Sequence, residues 1–419
     1  MTTAADAENP AIRRLADWPR DRLRGVATEH GTPLYVLDLQ RVRENARRLQ
    51  TAFDDATIHY AAKANTLGAV LRTLDGMDVG IECASGGEVY RARKAGVAGD
   101  DITYTAVNPP EADLDYATTV EGITITVGAM DTVDRLADHG YDGRFCVRVN
   151  PGIGAGHHEK VTTGSSPKFG VPYDEVGAVL QQADEYGFDI VGLHAHAGSG
   201  ISGDDFAAHR ELVARMGDLA RTVIDDGFDL EFVDVGGGFG VPYRPDEPPV
   251  DLDDAAAATR DALGSVDATL AIEPGRYFVA DAGVLLTTVN TVKPMPSTEM
   301  IGIDAGMATL IRPAMYGSYH HVESLAPDAA DRPTHEVTLA GPICETSDIL
   351  GADRSLPAPE RGDVLAIGNA GAYGAEMASQ YNSRPRPATV VIDADRTAVA
   401  QRRETFEDLI EREREVTWL

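Results

Sequence analysis

The sequence predicts an α/β fold, a (β/α)8 TIM-like barrel, followed by a second, mostly antiparallel β domain. Short apolar, β-rich segments recur at 58–62, 79–84, 102–106, 123–128, 145–149, 190–196, 232–235 and 269–273. Amphipathic stretches such as Gly86–Ala95, Tyr173–Tyr186 and Asp205–Asp225 lie between them and carry helical spacing. Eight strands alternating with helices form a closed parallel barrel. After about Ala282 the texture changes. VLLTTVNTVKP, EMIGIDAG, THEVTLAGPIC, DVLAIGN and ATVVIDA follow one another without long helices, as strands of an antiparallel sheet do.

Taken in order, residues 1–36 form an N-terminal segment whose strand near Pro33–Asp38 joins the β domain, 37–282 the barrel, and 283–419 the β domain. The acidic, Pro-rich stretch Tyr243–Asp254 reads as an exposed loop. A chain of 419 residues, 43% hydrophobic and 25% charged, is long enough for two cores. The N-terminus lacks the apolar run of a secretory signal, and no stretch reaches about 18 apolar residues, so a cytoplasmic location without membrane contact is expected. Cys83, Cys146 and Cys344 have neither disulfide-framework nor zinc spacing. With 67 acidic against 37 basic residues the net charge is −30, which repels nucleic acid and anionic membranes. Lysine occurs only at 63, 94, 160, 168 and 293. An acidic, lysine-poor surface resembles that of salt-adapted proteins.

The informative barrel motifs fall at strand ends, and the C-terminal strand ends of such a barrel form its active face. IHYAAKAN puts Lys63 at the end of the first barrel strand. Its neighbours Tyr60, Ala61, Ala62 and Ala64 predict a partly desolvated amine able to condense with an aldehyde. The plainer alternative is a strand-end lysine that snorkels to water.

GLHAHAGSGI aligns His194 and His196 on one strand face. Two histidines invite a metal, but no carboxylate or cysteine cluster in the motif completes a site, so no metal is expected and His194 reads as a satisfied core histidine. Gly198, Ser199 and Gly200 offer N–H groups and a hydroxyl to an anion. FVDVGGGFG places Gly236, Gly237 and Gly238 after a strand, where the backbone can close around a phosphate, although glycine-rich turns are common and this one lacks P-loop or Rossmann spacing.

In LAIEPGRYF, Glu273 leaves an apolar strand, with Gly275 and Arg276 just behind. Such a carboxylate needs a cationic or hydrogen-bonding partner. A protonated pyridine nitrogen is one, and keeping it protonated makes its ring an electron sink. In the β domain, GPICETSD holds Cys344, Glu345 and Asp348, and GNAGAYGAEMASQYNSRPRP holds Tyr373 and Tyr381. A lone cysteine is more often a small buried hydrophobe than a reactive thiol. Tyr373, among glycines and alanines, reads as an exposed loop residue near a ligand.

In this order the motifs resemble the fold-type III pyridoxal-phosphate (PLP) decarboxylases, which share the alanine racemase/ornithine decarboxylase-like pairing of a PLP-binding barrel with a β-barrel-like domain. Within them they resemble specifically the diaminopimelate decarboxylase branch, over about residues 30–415. The resemblance implies pyridoxal 5'-phosphate as cofactor, a small amino-acid substrate and a homodimer with composite sites. Lys63 matches the lysine that carries the cofactor, and His196 the histidine stacked on its ring. Ser199, Gly236, Gly237, Gly238, Gly275 and Arg276 match the phosphate site, and Glu273 the carboxylate facing the pyridinium nitrogen. Arg276, Arg312 and Tyr316 match the substrate-carboxylate set, and Tyr373 a tyrosine touching cofactor and substrate. Cys344 matches the proton donor and Glu345 a substrate-binding acid, both delivered across a dimer interface.

Glu82 stands where relatives often have aspartate, and Ala197 where a bulkier residue is common. Segment 154–170 resembles a mobile active-site loop. Rival readings are a decarboxylase for ornithine, lysine, arginine or carboxynorspermidine, an alanine-racemase-like enzyme, and a non-catalytic PLP-binding homologue. Glu345 and Arg312 favour a substrate with a second amine and a second carboxylate. Glu273 disfavours the racemase, which needs a weaker electron sink, and the presence of both Lys63 and Cys344 disfavours the non-catalytic homologue.

Overall fold

The computed structural model describes residues 10–153, 168–201, 205–296 and 298–418. Most of the 154–170 loop therefore lies outside the described residues. The chain divides into two compact units, one of Val42–Val241 and Pro249–Phe278, the other of Met1–Arg41, Pro242–Pro248 and Val279–Leu419.

After a 3-10 turn, Leu15–Asp17, and a helix, Arg20–His30, come strand β1 (Leu34–Asp38) and the helix Leu39–Ala52. Then follow β2 (Thr57–Ala61), β3 (Gly80–Cys83), β4 (Ile102–Ala106), β5 (Thr124–Val127), β6 (Arg144–Asn150), the short β7 (Val171–Pro172), β8 (Asp189–His194), β9 (Phe232–Asp234) and β10 (Thr269–Ile272). Parallel pairing runs from β2 through β3, β4, β5, β6, β8 and β9 to β10, and β10 pairs with β2, which closes an eight-stranded barrel. β7 pairs only with β6.

Every residue of β4 and of β5 is buried, threonines included, as expected for strands covered on both faces. The outer helices end where local chemistry dictates. In Gly86–Ala95, Ser85 Oγ accepts from Glu88 N at 3.2 Å, while Gly96 adopts a left-handed φ of 105° at the other end.

The second unit holds β1 with β11 (Gly283–Pro294), β12 (Glu299–Ile303), β13 (Val322–Ser324), β14 (Thr334–Ala340), β15 (Ile349–Pro357), β16 (Val364–Ile367), β17 (Ala388–Asp393) and β18 (Arg396–Gln401). Most pairings are antiparallel, but β1–β17 and β12–β14 are parallel, so the sheet is mixed. The sheet buries two cores. Tyr35 and Leu285 enter one, while their neighbours Leu34, Val36, Val284 and Leu286 enter the other, because successive side chains of a strand point to opposite faces.

The stretch 242–248, which reads as exposed loop, belongs to this unit. Tyr243 is half-buried and meets His320 edge-to-face at 5.1 Å, contacts that no local pattern announces. Among the described residues no helix is long and apolar enough to cross a membrane.

Candidate active site

In the barrel unit, the ends of β2, β8, β9 and β10 assemble one constellation. Lys63 follows β2 in a single 3-10 turn, Ala62–Ala64. Its backbone neighbours are buried and its side chain is 42% exposed, so the amine is partly withdrawn from water, as those alanines predict. Lys63 Nζ lies 3.6 Å from Oε2 of Glu82, a buried carboxylate at mid-strand in β3.

His194, the last residue of β8, has Nε2 3.0 Å from Glu273 Oε2, and both side chains are buried. His194 is thus a buried histidine with a hydrogen-bond partner, as expected, and that partner is the candidate carboxylate. Asp234, at the end of β9, closes the group, and ligand-type atoms of His194, Asp234 and Glu273 lie within 4.8 Å of one another. The carboxylates that could complete a metal-like cluster come from other strands, so the histidine motif could not reveal them.

The two acids are held in opposite states. Burial pushes Asp234 well up, and the charge and hydrogen bond of Glu273 push it further, so it keeps its proton. Burial also pushes the Glu273 carboxyl upward, but His194, Lys63 and His59 together draw it down to about 2, leaving it ionised. Its Oε1 is buried and has no hydrogen-bond partner among the described residues. A buried anion with an unsatisfied oxygen calls for a cationic N–H donor.

His196 is half-buried, and burial, then the charges of Lys63, Arg148 and His194, push its imidazole well below the ordinary histidine range. Its Nδ1 accepts from Gly237 N at 3.3 Å, as a neutral ring can. The glycine triplet is sterically required. A Cβ on Gly236 would lie 2.5 Å from His196 Nδ1, on Gly237 2.1 Å from the Glu273 carbonyl oxygen, and on Gly238 2.4 Å from the Gly198 carbonyl oxygen. Gly236 and Gly238 also have left-handed φ of 73° and 98°. Ile201 N donates to Gly238 O at 2.8 Å, which stitches the Ser199 loop to the triplet. Arg276 Nη2 donates to Ser199 Oγ at 3.1 Å, so a buried guanidinium and a hydroxyl stand together on an anion-binding pattern. Gly275 approaches the Lys63 turn, where a Cβ would lie 3.1 Å from that of Ala61.

These features fit PLP: an amine for its aldehyde, an ionised carboxylate with one unsatisfied oxygen for its ring nitrogen, and a glycine cradle with a guanidinium for its phosphate. Arg148, whose guanidinium stacks over Phe169 at 4.9 Å, and Asp234 belong to the same surroundings and were not evident in the sequence.

In the β unit the expected residues form two groups. Arg312 is buried, and its guanidinium lies 5.3 Å from the ring of Tyr243, 5.9 Å from that of Tyr316 and 6.0 Å from that of Tyr373. Its Nη2 donates to Ser318 Oγ at 3.2 Å and its Nε to His320 Nε2 at 3.4 Å, while His320 Nδ1 donates to Gly368 O at 2.9 Å. Tyr373, expected on an exposed loop, is half-buried with φ of 56°. Cys344 and Glu345 are exposed on the β14–β15 loop, and Cys83 and Cys146 are buried.

Residues 39–280 match the pyridoxal-dependent decarboxylases, pyridoxal binding domain. The chain is 45% identical over 92% of its length to the diaminopimelate decarboxylase of Methanothermobacter thermautotrophicus, 92% of which is covered. It is 35% identical to that of Aquifex aeolicus over 93% of each chain. The crystal structure of diaminopimelate decarboxylase from Helicobacter pylori complexed with L-lysine superposes with a TM-score of 0.87 at 32% identity, over 93% of this chain and 98% of that one. A closed parallel barrel with this glycine cradle, and full-length likeness at such identities, have one reading: the chain belongs to the family of pyridoxal-dependent decarboxylases whose relatives here are diaminopimelate decarboxylases.

Proposed function

We propose that this chain catalyses PLP-dependent decarboxylation of meso-2,6-diaminopimelate to L-lysine and CO2, the last step of lysine biosynthesis by the diaminopimelate route. The observation that carries the chemistry is Glu273, ionised in a buried setting with Oε1 unsatisfied. Bound PLP supplies an aldehyde for the substrate amine and a protonated ring that draws the electron pair of the breaking Cα–CO2 bond.

The chain's residues do the rest. Lys63 would provide the amine that holds the cofactor. Glu273, backed by His194, keeps the ring nitrogen protonated, and His196 gives a neutral face for the ring. Ser199, Gly236, Gly237, Gly238, Gly275 and Arg276 hold the phosphate. Arg276, Arg312 and Tyr316 take substrate carboxylates, because a guanidinium binds them through two parallel hydrogen bonds. Glu345 takes the distal ammonium, Tyr373 borders cofactor and substrate, and Cys344 returns a proton to carbon.

The same reading assigns 37–282 as the cofactor-binding domain and 283–419 with the N-terminal 1–36 as the second. It makes the protein a cytoplasmic homodimer in which Cys344 and Glu345 of one copy serve the other copy's barrel, in a salt-adapted cell. The names of the relatives, and the lysine in the Helicobacter pylori complex, support the substrate. The test is CO2 release by the PLP-loaded protein, expected from meso-diaminopimelate and not from ornithine; the reverse would overturn the assignment.

A further inference from the structure

Cys344 and Glu345 each meet one of two adjacent residues on a second loop. Cys344 Sγ donates to Asn382 Oδ1 at 3.3 Å, and Glu345 Oε1 accepts from the Tyr381 hydroxyl. Adjacent side chains of an extended chain point to opposite faces. Tyr381 and Asn382 instead reach the same loop, because the chain turns through left-handed conformations at Asn382 (φ 58°) and Ser383 (φ 52°). Asparagine is one of the few side chains enriched there.

The loop that carries Cys344 is also braced from behind. The buried carboxylate of Asp348 accepts from Met307 N at 2.5 Å and from Ile343 N at 2.9 Å. It fills space that only glycine leaves open, since a Cβ on Gly306 or Gly341 would lie 2.5 or 2.3 Å from Asp348 Oδ1. Backbone is thus held on one side and the two functional side chains on the other.

We propose that Asn382 and Tyr381 are positioning residues that set Cys344 and Glu345 as a pair, Asn382 holding the sulfur in one rotamer and Tyr381 holding the carboxylate. The proposal rests on Cys344 as the proton donor. An amide oxygen accepts from S–H, and that one contact fixes where the sulfur sits. The S–H bond breaks, a C–H bond forms with the electron pair left by CO2, and the thiolate regains a proton from water. A sulfur held at one place protonates one face of the carbon.

The variants are Asn382→Gly, which keeps the left-handed turn without the amide, Asn382→Asp, which keeps turn and acceptor, and Tyr381→Phe. The PLP-loaded full chain turns over meso-diaminopimelate in D2O. Wild type should give lysine deuterated in a single configuration. Asn382→Gly should give mixed configurations, with kcat down roughly two- to twelvefold, the range of one net hydrogen bond, and KM unchanged. Asn382→Asp should restore the single configuration. Tyr381→Phe should raise KM several-fold with kcat retained.

Independently of turnover, iodoacetamide labelling reads Cys344, because Cys83 and Cys146 are buried. Its rate should rise about fivefold in Asn382→Gly. Wild-type stereochemistry, kcat and labelling in Asn382→Gly would overturn the proposal. A wild type inactive on diaminopimelate would overturn the functional reading instead, leaving the labelling result to stand by itself.

Discussion

Replacing Gly237 by alanine tests the cradle where the structure is tightest. The new Cβ would lie 2.1 Å from the Glu273 carbonyl oxygen, 2.6 Å from its carbon and 2.9 Å from Pro274 Cα. All three are backbone atoms, so no side chain can step aside. Carbon–oxygen contacts close to about 3.3 Å, so the β9 and β10 ends must part by about 1.2 Å. Overpacking of this kind costs about 1–3 kcal/mol, roughly 2–12 °C in melting temperature for a unit of this size.

Function should suffer more, because the displaced backbone carries Glu273. A misplacement near 1 Å lowers kcat/KM by roughly 100-fold. The assays are thermal denaturation, absorbance titration with PLP and CO2 release. Gly177, near the start of the helix Val176–Glu185, has nothing within 4 Å of a built Cβ, and its alanine variant should be neutral or slightly stabilising. A Gly237→Ala protein with wild-type PLP affinity and rate would refute the cradle.

Arg312→Lys should raise substrate KM roughly tenfold or more, because a lysine cannot reproduce two parallel hydrogen bonds or the contacts with three tyrosine rings; steady-state kinetics decide, and an unchanged KM would remove Arg312 from substrate binding. His209, buried with Nε2 3.1 Å from Thr259 Oγ1, is pushed down to about 4 by burial. The unfolded chain takes up a proton near pH 6.5 that the folded chain refuses, so stability is full above pH 6.5 and declines by about 3 kcal/mol as pH falls toward 4. Urea midpoints at pH 7.5 and 5 should show this slope, and His209→Gln should flatten it. Arg41 is fully buried, with Nη2 2.8 Å and Nε 3.2 Å from Asp281 Oδ2. Arg41→Ala should lower unfolding stability by about 3–5 kcal/mol by stranding that carboxylate, and a midpoint within error of wild type would contradict it. Lys63→Ala should abolish the absorbance of the covalently held cofactor together with CO2 release; retention of either would exclude Lys63 from the role.

Periodicity and composition determined the architecture of this protein. The eight barrel strands lie within two residues of the apolar, β-rich segments that announce them, because strands buried on both faces favour apolar and β-branched residues and the turns between them do not. Lys63, the glycine triplet and Glu273 were legible for a related reason. Each breaks an apolar run with a residue type that demands a special partner or conformation.

What a strand end meets was decided only in three dimensions. Asp234 and His194 flank Glu273 from other strands, Tyr243 meets Arg312 from a distant loop, and Asn382 reaches Cys344 across 38 positions. Those pairings depend on sheet register and loop path, and neither leaves a local pattern in the chain.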